Sequence, residues 1–227
     1  MSLLALETSG EICSVALVAN DAPPLQRSFR HEMRLLRNLT SEVDGLLECA
    51  GLRLRDLDGL AVNVGPGSYT GLRIGVTTAK VWALALNLRI WGVSGLQAQA
   101  WRASNGITGP ILSLLSARRG HLYAAIYKQI MSVPPMTLLE PGLYEETRLA
   151  ELLPPGLEAV VGPDSAAIEG LRDRVGCVHQ GALDASDIAA IAQLRQKQGD
   201  ADSPLTLAPL YLAEPHITTP RRASAGS

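Results

Sequence analysis

Val62-Asn63-Val64-Gly65-Pro66-Gly67-Ser68-Tyr69-Thr70-Gly71-Leu72-Arg73 is the stretch on which the fold turns. The apolar run Leu60 to Val64 reads as a buried strand, and three glycines with a proline read as a tight turn. A helix-compatible segment from Thr70 to Asn87 follows. Strand, glycine turn and helix N-terminus together can aim backbone N–H groups at an anion. The spacing fits neither common phosphate loop. Five residues beyond Gly65 stands Thr70 and five beyond Gly67 stands Leu72, so no lysine falls where G-x-x-x-x-G-K-[ST] needs one. Gly65, Gly67 and Gly71 also miss G-x-G-x-x-G by one position. The turn Gly65, Pro66, Gly67, Ser68, Thr70 and Gly71 is therefore read as structural, setting a helix down close on its strand.

That helix is apolar nearly all round. Leu72, Val76, Ala79, Ala83 and Leu86 form one stripe, and Ile74, Val81, Ala85 and Leu88 form a second. Trp82 stands between them, and Arg73 and Lys80 are the only charges. Such a helix must be covered on more than one side. One stripe faces the sheet, and the other is left for a neighbouring element or a second chain.

Upstream, Leu3 to Leu6 and Ile12 to Val18 read as a hairpin around the polar turn Glu7 to Glu11, and Gln26 to Arg30 as a third strand. From Met33 to Ala50, Leu35, Leu36, Leu39, Val43, Leu46 and Leu47 lie on one helical face. Downstream, Arg89 to Val93 reads as a strand and Leu96 to Ala103 as a helix, followed by the glycine-rich linker Ser104 to Pro110. Ile111 to Leu115, a polar turn at Ser116 to Gly120 and Leu122 to Ile130 then repeat the opening hairpin, which suggests two lobes of similar design. A short helix near Thr147 to Leu153, strands Leu157 to Val161 and Val175 to His179, and helices Ser165 to Arg174 and Ser186 to Gln198 complete the second half, with Ser186 expected as N-cap. The expected division is 1–104 for the N-terminal lobe, 105–204 for the C-terminal lobe and 205–227 for a C-terminal segment ending in a disordered tail.

With 227 residues, 47% hydrophobic content and a net charge of −2, the chain reads as a well-buried globule with no field strong enough to draw it to nucleic acid or an anionic membrane. Cys13, Cys49 and Cys177 are far apart and odd in number, which argues against a disulfide framework and for the reducing cytoplasm. No signal peptide pattern appears, and no apolar run approaches the ~20 residues of a membrane span. His31, His121, His179 and His216 form no close pair, and no G-x-S-x-G elbow exists. Glu7, Thr8 and Ser9 are able to hold a phosphate or hydrated Mg²⁺, or to be a plain polar turn. The matching turn of the second half carries Ser116, Arg118 and Arg119 but no carboxylate. Arg27, Arg30, Arg34 and Arg37 read as a solvated basic face.

Several of these pieces resemble the bacterial TsaB (YeaZ) family: Leu6-Glu7-Thr8-Ser9 with Cys13 to Leu17, His31 with Leu35-Leu36, Gly65 to Gly75, Ala79-Lys80, Val93-Ser94, Ala117 to Gly120 with Tyr123, and Pro209 to Leu212. The resemblance implies a two-lobed actin/Hsp70-like α/β fold (ASKHA, ribonuclease H-like), with a mixed sheet flanked by helices in each lobe. It implies a non-catalytic partner of the enzyme TsaD, with TsaE joining, in N6-threonylcarbamoylation of adenosine 37 of tRNA. No metal and no cofactor of its own are expected, beyond a nucleotide at the partner interface, and tRNA is reached only indirectly. The implied docking surface is the helical face of Leu35, Leu36, Leu39, Val43, Leu46, Ile74, Thr78, Val81, Trp82 and Ala85, which also serves homodimers in some members. Glu7 and Ser116 stand where the family commonly carries Asp. The alternative reading is an ATP-dependent phosphotransferase or ATPase of the same fold, with Glu7, Thr8 and Ser9 at the phosphates. A metalloprotease reading lacks its histidine pair, because Leu35 follows His31 one turn on.

Overall fold

The structure is a computed structural model, and it describes residues 2–19, 23–117, 120–162 and 175–212. The predicted helix Ser165 to Arg174 and the predicted tail beyond Glu214 lie outside the described residues.

Two five-stranded mixed sheets form the two lobes. In the first, β1 (Ser2–Glu7), β2 (Ile12–Ala19) and β3 (Leu25–Arg30) pair antiparallel, while β4 (Gly59–Gly65) and β5 (Arg89–Ser94) add in parallel, giving the order β3-β2-β1-β4-β5. The second sheet repeats this plan with β6 (Pro110–Ser116), β7 (His121–Lys128), β8 (Met136–Glu145), β9 (Ala159–Gly162) and β10 (Cys177–Gln180), in the order β8-β7-β6-β9-β10. The echo between the two hairpins is thus the visible part of a complete repeat of strand order and direction. Strand β8 has no counterpart in the sequence reading. Pro141-Gly142 interrupts its pattern, and a proline is tolerated there only because β8 is an edge strand.

Helix α1 (Leu35–Cys49) and helix α2 (Tyr69–Leu86) cover one face of the first sheet. Leu39, Val43, Leu46 and Leu47 of α1 meet Val76, Ala79 and Ala83 of α2 over Leu4, Leu6, Leu60 and Val62 of the strands. Helices α3 (Gly95–Ala103), α4 (Glu146–Glu151) and α5 (Ala185–Lys197) complete the described helices longer than a single 3-10 turn.

Two helices pack across the expected boundaries at residues 104 and 204. Helix α3 follows a strand of the first sheet, yet Leu96, Ala100 and Ala103 pack on Ile111, Ala125, Tyr127 and Val161 of the second. Helix α5 follows the second sheet, yet Ile188, Ala189, Ile191 and Ala192 cover Leu3, Ala5, Ala16, Ala61 and Trp91 of the first. Each sheet therefore receives a helix from beyond the other. The N-cap of α5 also differs from the expected Ser186. Asp184 accepts from the Ser186 and Asp187 N–H groups (2.8 and 3.2 Å), and the Asp187 carboxylate accepts in return from the Asp184 N–H (3.2 Å), a reciprocal capping box.

Residues 199–212 form a strap that leaves α5 and runs back over the N-terminal lobe. Asp202 accepts from the Gly92 N–H (2.8 Å) and from both terminal nitrogens of Arg195 (3.1 Å each). Farther on, the Lys80 ammonium donates to the Leu207 carbonyl (2.6 Å), and the Leu210 N–H donates to Val64 O (2.6 Å). The segment 205–212 so belongs to the first lobe's packing, with Leu207 against its core.

Candidate functional site

The glycine turn is pressed against the first hairpin turn. Helix α2 starts at the cap Ser68, whose Oγ accepts from the Gly71 N–H (3.3 Å), while the Ser68 N–H donates to Ser9 O (2.8 Å). A Cβ on Gly67 would lie 2.4 Å from Ser9 Cβ, one on Gly71 would lie 1.9 Å from Thr8 O, and one on Gly75 would lie 2.3 Å from Thr8 Oγ1. At Gly71 and Gly75, one helical turn apart, the missing side chains let the helix ride directly on Thr8. The neighbour these glycines admit is the Thr8-Ser9 turn, more than the strand that precedes them. Thr8 is fully buried and its hydroxyl donates to the Gly71 carbonyl (2.8 Å). The His31 ring closes the outer side, with Cε1 beside Gly71 and Nδ1 3.2 Å from Gly10 O.

Behind the turn lies a buried polar cluster. The Ser9 N–H and Oγ–H both donate to Glu7 Oε1 (2.6 Å each), and Asn63 Nδ2 donates to Glu7 Oε2 (2.5 Å) and to Ser9 Oγ (3.0 Å). Asn63 Oδ1 accepts from the Gly65 N–H (2.8 Å). Burial drives the Glu7 pKa above the ordinary carboxylate range, against the opposing pull of the Ser9 and Asn63 donors. Burial and the neighbouring Glu7 charge push the Cys13 thiol up to about 12. Glu7, Thr8 and Ser9 are thus brought together with the glycine turn, and their polar atoms bond within this cluster. Asn63 was not singled out by its sequence, although a lone amide in the apolar run Leu60 to Val64 is a signal that a buried partner exists.

The expected helical docking face divides in two. Leu35, Leu39, Val43 and Leu46 are buried at 2% exposure or less in the N-terminal core, so they are not open to a partner, and Thr78 is buried too. The α1 periodicity marked the face that covers the sheet. The residues left outside come from Leu36 of α1 (52% exposed) and from α2, where Val81 is 55% and Leu84 52% exposed, Ala85 is exposed, and Ile74 and Trp82 are half-buried. From Val81 to Leu86 the helix carries no charged side chain. Toward its N-terminus, Leu36, Tyr69, Thr70, Arg73, Ile74 and Thr77 border a groove of about 370 Å³. Here the Arg73 guanidinium lies 5.4 Å from the Tyr69 ring centroid, and Tyr211 of the strap stacks on the same ring at 4.9 Å between centroids. Sequence periodicity does not reveal Tyr211, which reaches the helix only through the strap. Among the described residues, no group of three or more His, Cys, Asp or Glu side chains is placed to hold a metal ion.

Repeated lobes, exchanged helices and a glycine turn against the first hairpin define a two-lobed α/β protein of the actin-like class. The family described as "TsaD: tRNA N6-adenosine threonylcarbamoyltransferase" matches residues 31–139. The tRNA threonylcarbamoyladenosine biosynthesis protein TsaB of Escherichia coli is 39% identical over 137 residues, which is 57% of this chain and 56% of that protein. An uncharacterized protein of Mycobacterium tuberculosis is 31% identical over 182 residues, or 78% of this chain and 74% of the relative. YeaZ from Pseudomonas aeruginosa superposes with a TM-score of 0.78 at 26% identity, covering 93% of this chain and 99% of that one. The chain belongs to the TsaB (YeaZ) family. It spans about half the length of the TsaB relatives from E. coli and Bacillus subtilis that it matches.

Proposed function

We propose that this chain is a non-catalytic scaffold and activator in the N6-threonylcarbamoylation of adenosine 37 of tRNA, docking on the catalytic subunit TsaD while TsaE joins the complex. The observation that carries the reading is the outer face of α2, where Val81, Leu84 and Ala85 stand exposed without a charge among them. Helices keep such a face where another surface covers it. The role named for the E. coli relative, tRNA threonylcarbamoyladenosine biosynthesis, supports the choice of pathway. A second copy of this chain competes for the same face, so the free protein pairs with itself when TsaD is absent. The tRNA is engaged by the assembled complex, and any nucleotide belongs to the partner interface. The phosphotransferase alternative is not favoured, because Glu7 and Thr8 are buried with their polar atoms engaged inside the fold. Among the described residues no helix is long and apolar enough to cross a membrane, in keeping with the proposed cytoplasmic site of action.

Val81→Glu tests the docking. Val81 is outside the core, so the variant stays folded by circular dichroism, whereas burying an unpaired carboxylate in an interface costs several kcal/mol. Co-purification with TsaD and in vitro modification should both fail. Retention of both by a folded Val81→Glu protein sinks the reading.

A further inference from the structure

From the groove at the N-terminal end of α2, and resting on the docking reading above, we infer that the partner surface carries a carboxylate side chain that pairs with Arg73. Arg73 is exposed, and its contacts are aromatic. Its Nη1 donates to the Tyr69 hydroxyl (3.4 Å) and its guanidinium lies over the Tyr69 ring, which Tyr211 backs from the strap. Among the described residues no carboxylate lies within ion-pair distance of it. The cation thus stands in a groove bordered by Leu36, Ile74 and Tyr69, on the helix whose outer face continues into Val81 and Ala85.

A surface that covers Val81 and the groove takes water away from Arg73 as well. Desolvating a guanidinium without a counter-charge is costly, and none of the described residues supplies one, which leaves the partner as its source. The stacked aromatic pair narrows the range of guanidinium positions before binding, which favours a planar, two-point pair with a carboxylate over a diffuse attraction. The groove sets Leu36, Ile74 and the Tyr69 ring beside the Thr70 and Thr77 hydroxyls, so the acid is expected on a protein segment that brings apolar side chains with it, and not on a phosphate backbone. The pair would supply register and discrimination between partners while the apolar face supplies area.

The test measures TsaD affinity of the full chain carrying Arg73→Glu, Arg73→Leu or Arg73→Lys, with Val81→Glu alongside. Arg73→Glu should weaken binding at least 100-fold, Arg73→Leu about tenfold, and Arg73→Lys should fall between wild type and Arg73→Leu. Changing one acid on TsaD to Lys should restore the Arg73→Glu variant. If Arg73→Leu binds within twofold of wild type while Val81→Glu abolishes binding, the carboxylate proposal is wrong and the docking face stands. If Val81→Glu binds normally, both are wrong. Loss of tRNA binding by the isolated Arg73→Glu chain, with TsaD affinity intact, assigns Arg73 to a phosphate and overturns the proposal.

Discussion

Replacing Gly71 with alanine asks whether α2 rests on the first hairpin turn as closely as its geometry states. The added Cβ would meet the Thr8 carbonyl oxygen at 1.9 Å, far inside the roughly 3.5 Å at which non-bonded heavy atoms rest. Both partners are backbone-anchored, so no rotamer change relieves the contact. Helix α2 has to retreat by more than about 1 Å, and that retreat breaks the Thr8 hydroxyl's bond to the Gly71 carbonyl. Overpacking of this kind costs about 3 kcal/mol at the upper end of its usual range. The lost buried hydrogen bond adds about 1 kcal/mol. Alanine's better helix propensity returns about 1 kcal/mol, and Gly71 has no positive φ for alanine to strain. The net loss is about 3 kcal/mol, or a fall in Tm of roughly 6–12 °C for a chain of this size. Gly45→Ala is the internal control, because its Cβ would meet only the guanidinium at the far end of the flexible Arg27 side chain (Nη1 at 2.7 Å, Cζ at 3.2 Å). There the propensity gain should dominate, leaving stability unchanged or raised by up to about 1 kcal/mol. Urea denaturation of the two variants beside wild type decides the matter. Equal stability of Gly71→Ala and Gly45→Ala would refute the close approach. A destabilised but folded Gly71→Ala should also bind TsaD more weakly, since Tyr69, Arg73 and Ile74 move with the helix start.

Asp202→Ala removes the acceptor of the Gly92 N–H and of Arg195's two terminal nitrogens, and should cost roughly 2–4 kcal/mol. It should also open the strap to limited proteolysis near residues 199–204, and unchanged stability with unchanged cleavage would contradict its anchoring role. Asp187, at the start of α5, should titrate near pH 6. Burial raises its pKa from 3.8 to about 6, and Arg102 only partly opposes this. The folded state holds this proton more tightly than the unfolded chain, so the Asp187 contribution to stability declines as pH rises from about 4 to about 6. Carbon-detected NMR reads the midpoint, and a value below 4 rules out the desolvated environment.

Hydrophobic periodicity identifies a helix face but not what covers it, and α1 and α2 show both sides of that limit. The second stripe of α2 was readable in part, because a helix has one side against its sheet: Val81 and Ala85 stand exposed on the far side, while Ile74 and Leu88 pack against the core. On α1 there was only one stripe, and Leu35, Leu39, Val43 and Leu46 were needed for the core. The hairpin repeat pointed correctly to two lobes, since alternation and turn residues are local. The helix exchange was not legible. Leu96 and Ala100 of α3 have the same spacing whichever sheet they cover, and choosing between the two sheets is a tertiary matter. The strap is invisible for a related reason, because Lys80 and Leu207 are 127 residues apart and no local pattern pairs them. In the site, the glycine spacing excluded the familiar phosphate loops, but the role of Thr8 as the surface under Gly71 and Gly75 depends on contact across 63 residues or more.

The exchange of α3 and α5 also decides how the protein can come apart. Cutting the chain at the Ser104 to Pro110 linker would strip α5 from the first sheet and leave Leu3, Ala5, Ala16 and Trp91 facing water. The second sheet would lose α3 in the same stroke. Neither half is then a fragment that folds alone, and the chain should melt in one cooperative transition. Recombining the two pieces, each kept soluble, should restore the fold by complementation, as two halves of a clasp close only on each other.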